Sequence, residues 1–533
     1  MTEVVDDPES TWPHWQTIPA IAFACGDRFG DAEAVVQGDE RLTFREYAAL
    51  IRRAAAAMIA AGVEKGDRVA VWAPNRYEWV LAAVGAQAAG AALVPINTRF
   101  KGIEASDILE RSGAKLMFTV TGFLDVDPIG LLAAAGRELP KLERIVILGG
   151  ATPEGCQSWA DFVESGIGIG DAEAEQRAAS VTSDDYSDIL FTSGTTGKAK
   201  GVLMRHGQTM RQFNDWASQV GLRRGARYLV VNPFFHMFGY KSGWLACLMR
   251  GSTLIPVPVF DVDQVFALIE REKVTMFPGA PTIYQTILDH PNRGRYDLSS
   301  LRNAVTGAAD IPVELIRRMA TELPFERIVT GYGLTEAGTC TLSRPSDSFE
   351  TIAGTAGRAM RDLDVRIVDA AGREVERGTA GELVVRGFNV MAGYLDDREV
   401  TAAAIDRDGF LHTGDIATMD GDGYVRIVGR LKDMFIVGGF NAYPAEIENI
   451  LLTHPAIAQT AVIGIPDQRM GEVGLAFCVV RDGAVLTADD LIDWSRERMA
   501  NYKVPRRIEF VEALPLNATG KVVKDELRRL VPG

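Results

Sequence analysis

Residues 188–202 read DILFTSGTTGKAKGV. An apolar run, Ile189, Leu190 and Phe191, gives way to hydroxyls at Thr192, Ser193, Thr195 and Thr196, glycines at 194, 197 and 201, and ammonium groups at Lys198 and Lys200. Hydroxyls donate hydrogen bonds, glycine lets backbone N–H groups close on an anion, and lysine supplies charge, so the composition suits phosphate. It is not the P-loop of nucleoside triphosphatases, which requires G-x-x-x-x-G-K-S/T. Gly194 and Gly197 stand only three apart, and Ala199 occupies the position of the metal-binding hydroxyl. A buried strand delivering a polar loop is the pattern of α/β sheets, whose ligands gather at the carboxyl ends of strands.

The flanking sequence has the matching rhythm. Upstream, LTFREYAALIRRAAAAMIAAG begins with Thr43 and Glu46 at capping-box spacing, keeps Tyr47, Leu50, Ile51, Ala54, Ala55, Met58 and Ile59 on one helical face and stops at Gly62. Strands are expected at DRVAVWA, ALVPIN, KLMFTV and RIVILG, with a helix at YEWVLAAVGAQAAG. Residues 150–185 are acidic and weakly periodic and read as a surface excursion. Downstream, YLVVNPF, STLIPVPVF, VTMFPGA, LRNAVTGA and RIVTGYG are strand candidates ending in small residues. This alternation predicts an α/β protein with helix-covered mixed sheets. Short strands split by turns over 354–430 form a β-rich subdomain within a large unit, 1–431, and 432–533 form a small α/β domain.

The 533 residues include 47% hydrophobic and 24% charged residues, the balance of a globular protein of several domains. Fifty-six Lys and Arg against 71 Asp and Glu leave a formal charge of −15, which argues against nucleic acid or an anionic membrane as the partner. Five scattered cysteines (25, 156, 247, 340 and 478) form no CxxC pair and suit reduced thiols in a cytoplasmic protein. The start, MTEVVDDPES, lacks the features of a secretory signal, and no apolar run reaches the length of a membrane span.

Three further stretches carry candidate chemistry. YGLTEAG, 332–338, offers an aromatic face at Tyr332, a hydroxyl at Thr335 and a carboxylate at Glu336; a Mg2+ site and the glutamate of a helix start are both open readings. In 411–448, Asp415 follows Thr413-Gly414 and could accept from two ribose hydroxyls, with Arg430 and Lys432 at the border of the last domain. LPLNATGKVVKDEL places Lys521 behind a glycine.

Together, TSGTTGKAKG, YGLTE, TGD with GRLKD, and NATGK, in this order over nearly the whole chain, resemble the adenylate-forming superfamily of acyl-CoA synthetases, adenylation domains and firefly-type luciferases. The resemblance implies a large N-terminal domain and a small mobile C-terminal domain. It implies ATP, Mg2+ and coenzyme A as cofactors and a two-step reaction: a carboxylic acid and ATP give acyl-AMP and pyrophosphate, then CoA displaces AMP. By similarity, Thr192, Ser193, Gly194, Thr195, Thr196, Gly197, Lys198 and Lys200 hold the β- and γ-phosphates, with Ala199 where such loops usually carry proline. Gly307, Ala308, Ala309, Tyr332 and Gly333 form the adenine slot. Thr335 touches phosphate, Glu336 holds Mg2+, and Asp415 and Arg430 hold ribose. Lys521 bridges substrate and α-phosphate oxygens. Lys432 marks a hinge that exchanges Lys521 for Gly438 and Gly439, beside which the pantetheine arm would pass.

His236, in NPFFHMFGYKSGW, matches a position at the mouth of the acyl pocket, where a packing histidine is the competing reading. FFHMFGYK also resembles ligases of bacterial steroid-ring degradation, which activate bicyclic hexahydroindanedione-propionate acids. Lys241 beside an acyl pocket is costly unless it meets solvent or an anionic or carbonyl-bearing partner, which suggests a substrate with polar oxygens or a second carboxylate. The alternatives are a medium- or long-chain fatty acyl-CoA ligase and a standalone adenylation enzyme that loads a carrier protein. The resemblance further implies partners limited to small molecules, with no nucleic acid and no integral membrane association. Homodimers are common among such enzymes, and acylation of Lys521 would silence it by removing its charge.

Overall fold

The computed structural model describes residues 10–192, 199–307, 311–437, 440–499, 501–517 and 522–531. The chain divides into two compact units, Met1–Asp364 with Val385–Leu411, and Val365–Val384 with His412–Gly533.

The first unit is built on an eight-stranded sheet whose order runs Gly393–Tyr394, Lys200–Arg205, Tyr186–Thr192, Ala92–Pro95, Arg68–Trp72, Leu116–Val120, Arg144–Gly149, Gln157–Ser158. The last six run parallel, and the Lys200–Arg205 strand turns antiparallel beside Tyr186–Thr192. Parallel strands buried on both faces need continuous apolar residues, which RVAVW and LMFTV supply. The Phe44–Ala60 helix forms as the spacing predicts: Thr43 and Glu46 close a reciprocal capping box. Its fully buried Ala54 admits the neighbouring Tyr77–Ala88 helix so closely that a Cβ on Gly85 would lie 2.9 Å from the alanine methyl.

Two smaller sheets complete the unit. Arg227–Val230, Thr253–Pro256, Glu33–Gln37 and Glu40–Thr43 form one; Asn303–Gly307, Arg327–Leu334, Gly338–Leu342 and Arg358–Ala359 form the other. One expectation is corrected here. VTMFPGA is no full strand: Met276 alone bridges, to Tyr228 on one side and Asn303 on the other, and Pro278, without an N–H, cannot extend the ladder. Residues 150–185 lie mostly at the surface as expected, but they also carry regular structure that the sequence did not show. They hold the helices Trp159–Glu164 and Asp171–Ala179, anchored by buried Phe162, Ala174 and Ala178. Their apolar anchors are too sparse to register as a period.

The second unit carries an antiparallel sheet of Asp364–Val368, Gly381–Arg386, Leu411–Met419 and Val425–Arg430, the β-rich stretch of the sequence. Its second sheet pairs Ile457–Asp467 with Gly471–Val480 as a long hairpin, extended by Phe435–Val437, Phe440–Ala442 and Arg507–Phe510. Helices Pro444–Leu452 and Ala488–Arg496 cover it through Ile447, Leu451 and Leu491. Mixed sheets and a separate C-terminal α/β region agree with the expected fold class.

Candidate active site

The opening motif is flanked by two antiparallel strands. Ile189 faces Leu203, Leu190 faces Val202, Phe191 faces Gly201 and Thr192 faces Lys200, so the ladder runs to both ends of the loop. The Thr192 hydroxyl donates to the Lys200 carbonyl at 3.5 Å. Ser193, Gly194, Thr195, Thr196, Gly197 and Lys198 lie outside the described residues. The loop's exit is anchored by a residue the sequence did not single out: Arg111 donates to the Ala199 carbonyl at 2.5 Å and lies over the Phe191 ring. Gly201 is closely packed: a Cβ there would stand 3.0 Å from Ile189 and 3.1 Å from Leu395. The strand enters a second strand rather than a helix, a further departure from the P-loop.

A flat backbone floor lies at the ends of two parallel strands. Gly307 pairs with Gly331 in register, and a Cβ on Gly307 would sit 3.0 Å from the Gly331 carbonyl. At Gly331 a Cβ would come within 2.6 Å of the Thr341 carbonyl, and at Gly333 within 2.4 Å of the Gly338 carbonyl. Side chains are excluded at all three positions, leaving Tyr332, half-buried, as the aromatic group between them. That surface suits a planar ring. Ala308 and Ala309 lie outside the described residues. Gly331, not chosen from the sequence, belongs with Gly307 and Gly333.

Thr335 and Glu336 occupy the turn between antiparallel strands Arg327–Leu334 and Gly338–Leu342. The helix-start reading of Glu336 therefore fails. Its carbonyl accepts from Met391 N at 2.8 Å, and its Oε1 accepts from the Tyr394 hydroxyl at 2.9 Å. The ammonium of Lys200 stands 5.0 Å from the centre of the same Tyr394 ring. Behind the turn, the Ala337 carbonyl accepts from Gln212 at 2.8 Å and Asn389 at 2.7 Å. No group of three or more His, Cys, Asp or Glu side chains that could hold a metal occurs among the described residues. A single anchored carboxylate fits the way Mg2+ binds beside nucleotides, through one or two carboxylates completed by substrate phosphates.

His236 is exposed and caps the short helix Met237–Gly239, its Nδ1 accepting from Phe238 N at 3.2 Å. In the second unit the structure joins the other predicted pair: Asp415 and Arg430 face each other across the hairpin, with Nε to Oδ1 at 3.1 Å. The strand entering Asp415 is stitched in place, Gly414 N donating to Glu382 at 3.0 Å and the Thr413 hydroxyl to the Leu383 carbonyl at 2.7 Å. Lys432 is exposed in the turn after Arg430. Gly438, Gly439 and Lys521 lie outside the described residues.

A family model described as AMP-binding enzyme matches residues 23–395, and the model for the AMP-binding enzyme C-terminal domain matches residues 446–521. The chain belongs to the AMP-binding enzyme family. It is 48% identical over 515 residues to the 3-(7a-methyl-1,5-dioxo-octahydro-1H-inden-4-yl)propanoyl:CoA ligase of Rhodococcus jostii, covering 96% of this chain and 98% of that one. The ligase of the same name from Mycobacterium tuberculosis is 49% identical over 516 residues, covering 97% and 99%. Among solved structures, the anthranilate CoA ligase AuaEII in complex with anthranoyl-AMP matches with a TM-score of 0.86 at 29% identity, over 96% of each chain. This AMP-binding enzyme is an acid–thiol ligase of the AMP-forming acyl-CoA synthetase type, and such enzymes use ATP and CoA.

One step of the sequence reasoning is corrected within this family member. Lys241 does not look for oxygen atoms on a substrate. It is fully buried in a π-helical turn, Tyr240–Leu245, with Nζ 3.0 Å from Oδ1 of equally buried Asp188 and 3.1 Å from the Thr209 hydroxyl. Asp188 also accepts from Ser187 at 2.7 Å and Tyr240 at 3.3 Å. Burial pulls the lysine's pKa down while Asp188 opposes the shift. The lysine's partner is internal, so it gives no reason for a polar substrate; that reading rests on the relatives.

Proposed function

We propose that this ligase activates a propionate bearing a bicyclic, dioxo-substituted ring, in steroid-ring catabolism. The observation that carries it is near-50% identity, over almost the full length of both chains, to two ligases named for that acid.

In the first step a carboxylate oxygen attacks the α-phosphorus and the bond to pyrophosphate breaks. The 192–200 loop holds the departing phosphates through hydroxyls, backbone N–H groups and Lys198 and Lys200. Adenine lies on the Gly307–Gly331–Gly333 floor against Tyr332, continued by Ala308 and Ala309, and Asp415 and Arg430 take the ribose. Thr335 donates to phosphate, and Glu336 holds Mg2+, which when bound supplies positive charge to phosphate oxygens. Lys521 offsets charge at the α-phosphate. In the second step the CoA sulfur attacks the acyl carbon and AMP leaves, with Gly438 and Gly439 giving the pantetheine arm room. His236 stands at the acyl mouth.

The 432–533 domain pivots at Lys432 on the 1–431 domain between the two steps. The supports are the family's two-part match and the turn that carries Lys432 beside Arg430. We further propose a cytoplasmic homodimer regulated by acylation of Lys521. No helix among the described residues is long and apolar enough to cross a membrane.

Lys521→Ala is expected to slow adenylate formation by at least about 100-fold, the scale of a lost electrostatic donor, while leaving thioester formation from supplied acyl-AMP largely intact. Mass spectrometry with free CoA should detect the acyl-CoA. Equal loss of both half-reactions would contradict the division of roles, and transfer only to a carrier protein would favour a standalone adenylation enzyme.

A further inference from the structure

Glu336 and Lys200 carry opposite charges on neighbouring segments, yet no ion pair forms between them among the described residues. Tyr394 stands between the two. Its hydroxyl donates to Glu336 Oε1 at 2.9 Å, and its face receives the Lys200 ammonium at 5.0 Å from the ring centre. One ring thus serves an anion at its polar edge and a cation on its negative face.

The backbone beneath the ring is fixed. Gly393–Tyr394 forms a two-residue strand against the Lys200–Arg205 strand, with Tyr394 opposite Val202. Tyr394 N donates to the Thr401 hydroxyl at 2.8 Å, Ala392 N to the Leu203 carbonyl at 2.9 Å, and Leu395 N to the Gly201 carbonyl at 2.8 Å. Glu336 is tied to the same segment through the Met391 N–H. The tyrosine therefore sits on the strand that pairs with the one leaving the phosphate loop, and reaches the carboxylate from there. A phenol keeps its proton at neutral pH, so the hydroxyl is the donor of this bond.

We propose that Tyr394 is a positioning residue: it fixes the rotamer of Glu336 with one oxygen presented to Mg2+, and holds Lys200 apart from that carboxylate so that the lysine stays available to phosphate. The hydroxyl engages Oε1, and Oε2 accepts no hydrogen bond among the described residues. This inference rests on Glu336 as the Mg2+ ligand. Without the ring, carboxylate and ammonium are free to neutralise each other, and neither would then meet its ligand at full charge.

The test uses the full chain with Mn2+ as a spectroscopic probe and α,β-methylene-ATP, read by electron paramagnetic resonance without turnover. Tyr394→Phe keeps the ring and removes only the hydroxyl, so the fold is retained. Mn2+ affinity in the nucleotide complex is expected to fall about 10-fold, the scale on which outer-shell partners tune metal ligands. The Mg2+ requirement for adenylation should rise in parallel, with KM for the acid and for CoA unchanged. Glu336→Gln should weaken Mn2+ binding further, and adding Tyr394→Phe to it should cost nothing more. Tyr394→Leu, which removes the spacer as well, should also weaken metal-free binding of the nucleotide analogue, which Tyr394→Phe leaves intact. Unchanged Mn2+ affinity in Tyr394→Phe, with a clear loss in Glu336→Gln, would overturn the role of Tyr394 alone. Unchanged affinity in Glu336→Gln would overturn the Mg2+ reading and this proposal with it.

Discussion

Two acid–base pairs, one in each unit, have the same elementary chemistry and opposite surroundings. Asp188 and Lys241 lie on a central strand and a π-helical turn, both without exposed side-chain surface. Asp415 and Arg430 cross a hairpin, with about half of the arginine side chain in solvent. The buried pair is enclosed by protein: Thr209 accepts from Lys241, Ser187 and Tyr240 donate to Asp188, and neither charged side chain has exposed surface. The hairpin pair is open on the arginine side. A charge in a ligand site must keep part of its capacity unspent, and a charge that holds the core together must not.

The comparison breaks most readily at Lys241. Lys241→Ala leaves the Asp188 carboxylate buried without its counter-charge and is expected to cost about 3–5 kcal/mol in urea unfolding. Asp188→Asn with Lys241→Met removes both charges at similar volume and should cost clearly less than the single change, because the two sites are coupled. A loss of under 1 kcal/mol in Lys241→Ala would show that the pair does not hold the core.

Asp415→Ala should act in the opposite sense. With Asp415 on the ribose as proposed, loss of its charge-assisted hydrogen bonds, about 1.5–3 kcal/mol, corresponds to a rise of roughly 10- to 100-fold in the KM for ATP. Its unfolding free energy should change by no more than about 1 kcal/mol, since the partner arginine stays in water. Unfolding changed strongly with KM for ATP untouched would reverse the assignment of the two pairs.

The same contrast explains what the sequence made legible. The capped helix at 44–60 and the buried strands are local patterns, and local patterns survive translation into structure. Asp415 and Arg430 were legible because both stood in short motifs that resemble a known family. The internal partner of Lys241 was not, since Asp188 becomes its neighbour only when the strand and the π-helical turn pack. Tyr394 and Arg111 were missed for the same reason: each reaches its partner, Glu336 or the Ala199 carbonyl, across the fold. The helices at 159–164 and 171–179 escaped because few apolar anchors hold them.

The central claim is that substrate chemistry is read by groups open to ligand and not by Lys241. The most direct test is the ratio of kcat/KM for the ring-bearing propionate over decanoate, measured as ATP- and CoA-dependent thioester formation in the native enzyme and in Asp188→Asn/Lys241→Met. The native enzyme is expected to prefer the ring-bearing acid, and the paired variant to keep that preference within about 2-fold, or about 0.4 kcal/mol. Equal activity on decanoate in the native enzyme, or a preference that collapses in the variant, would contradict it.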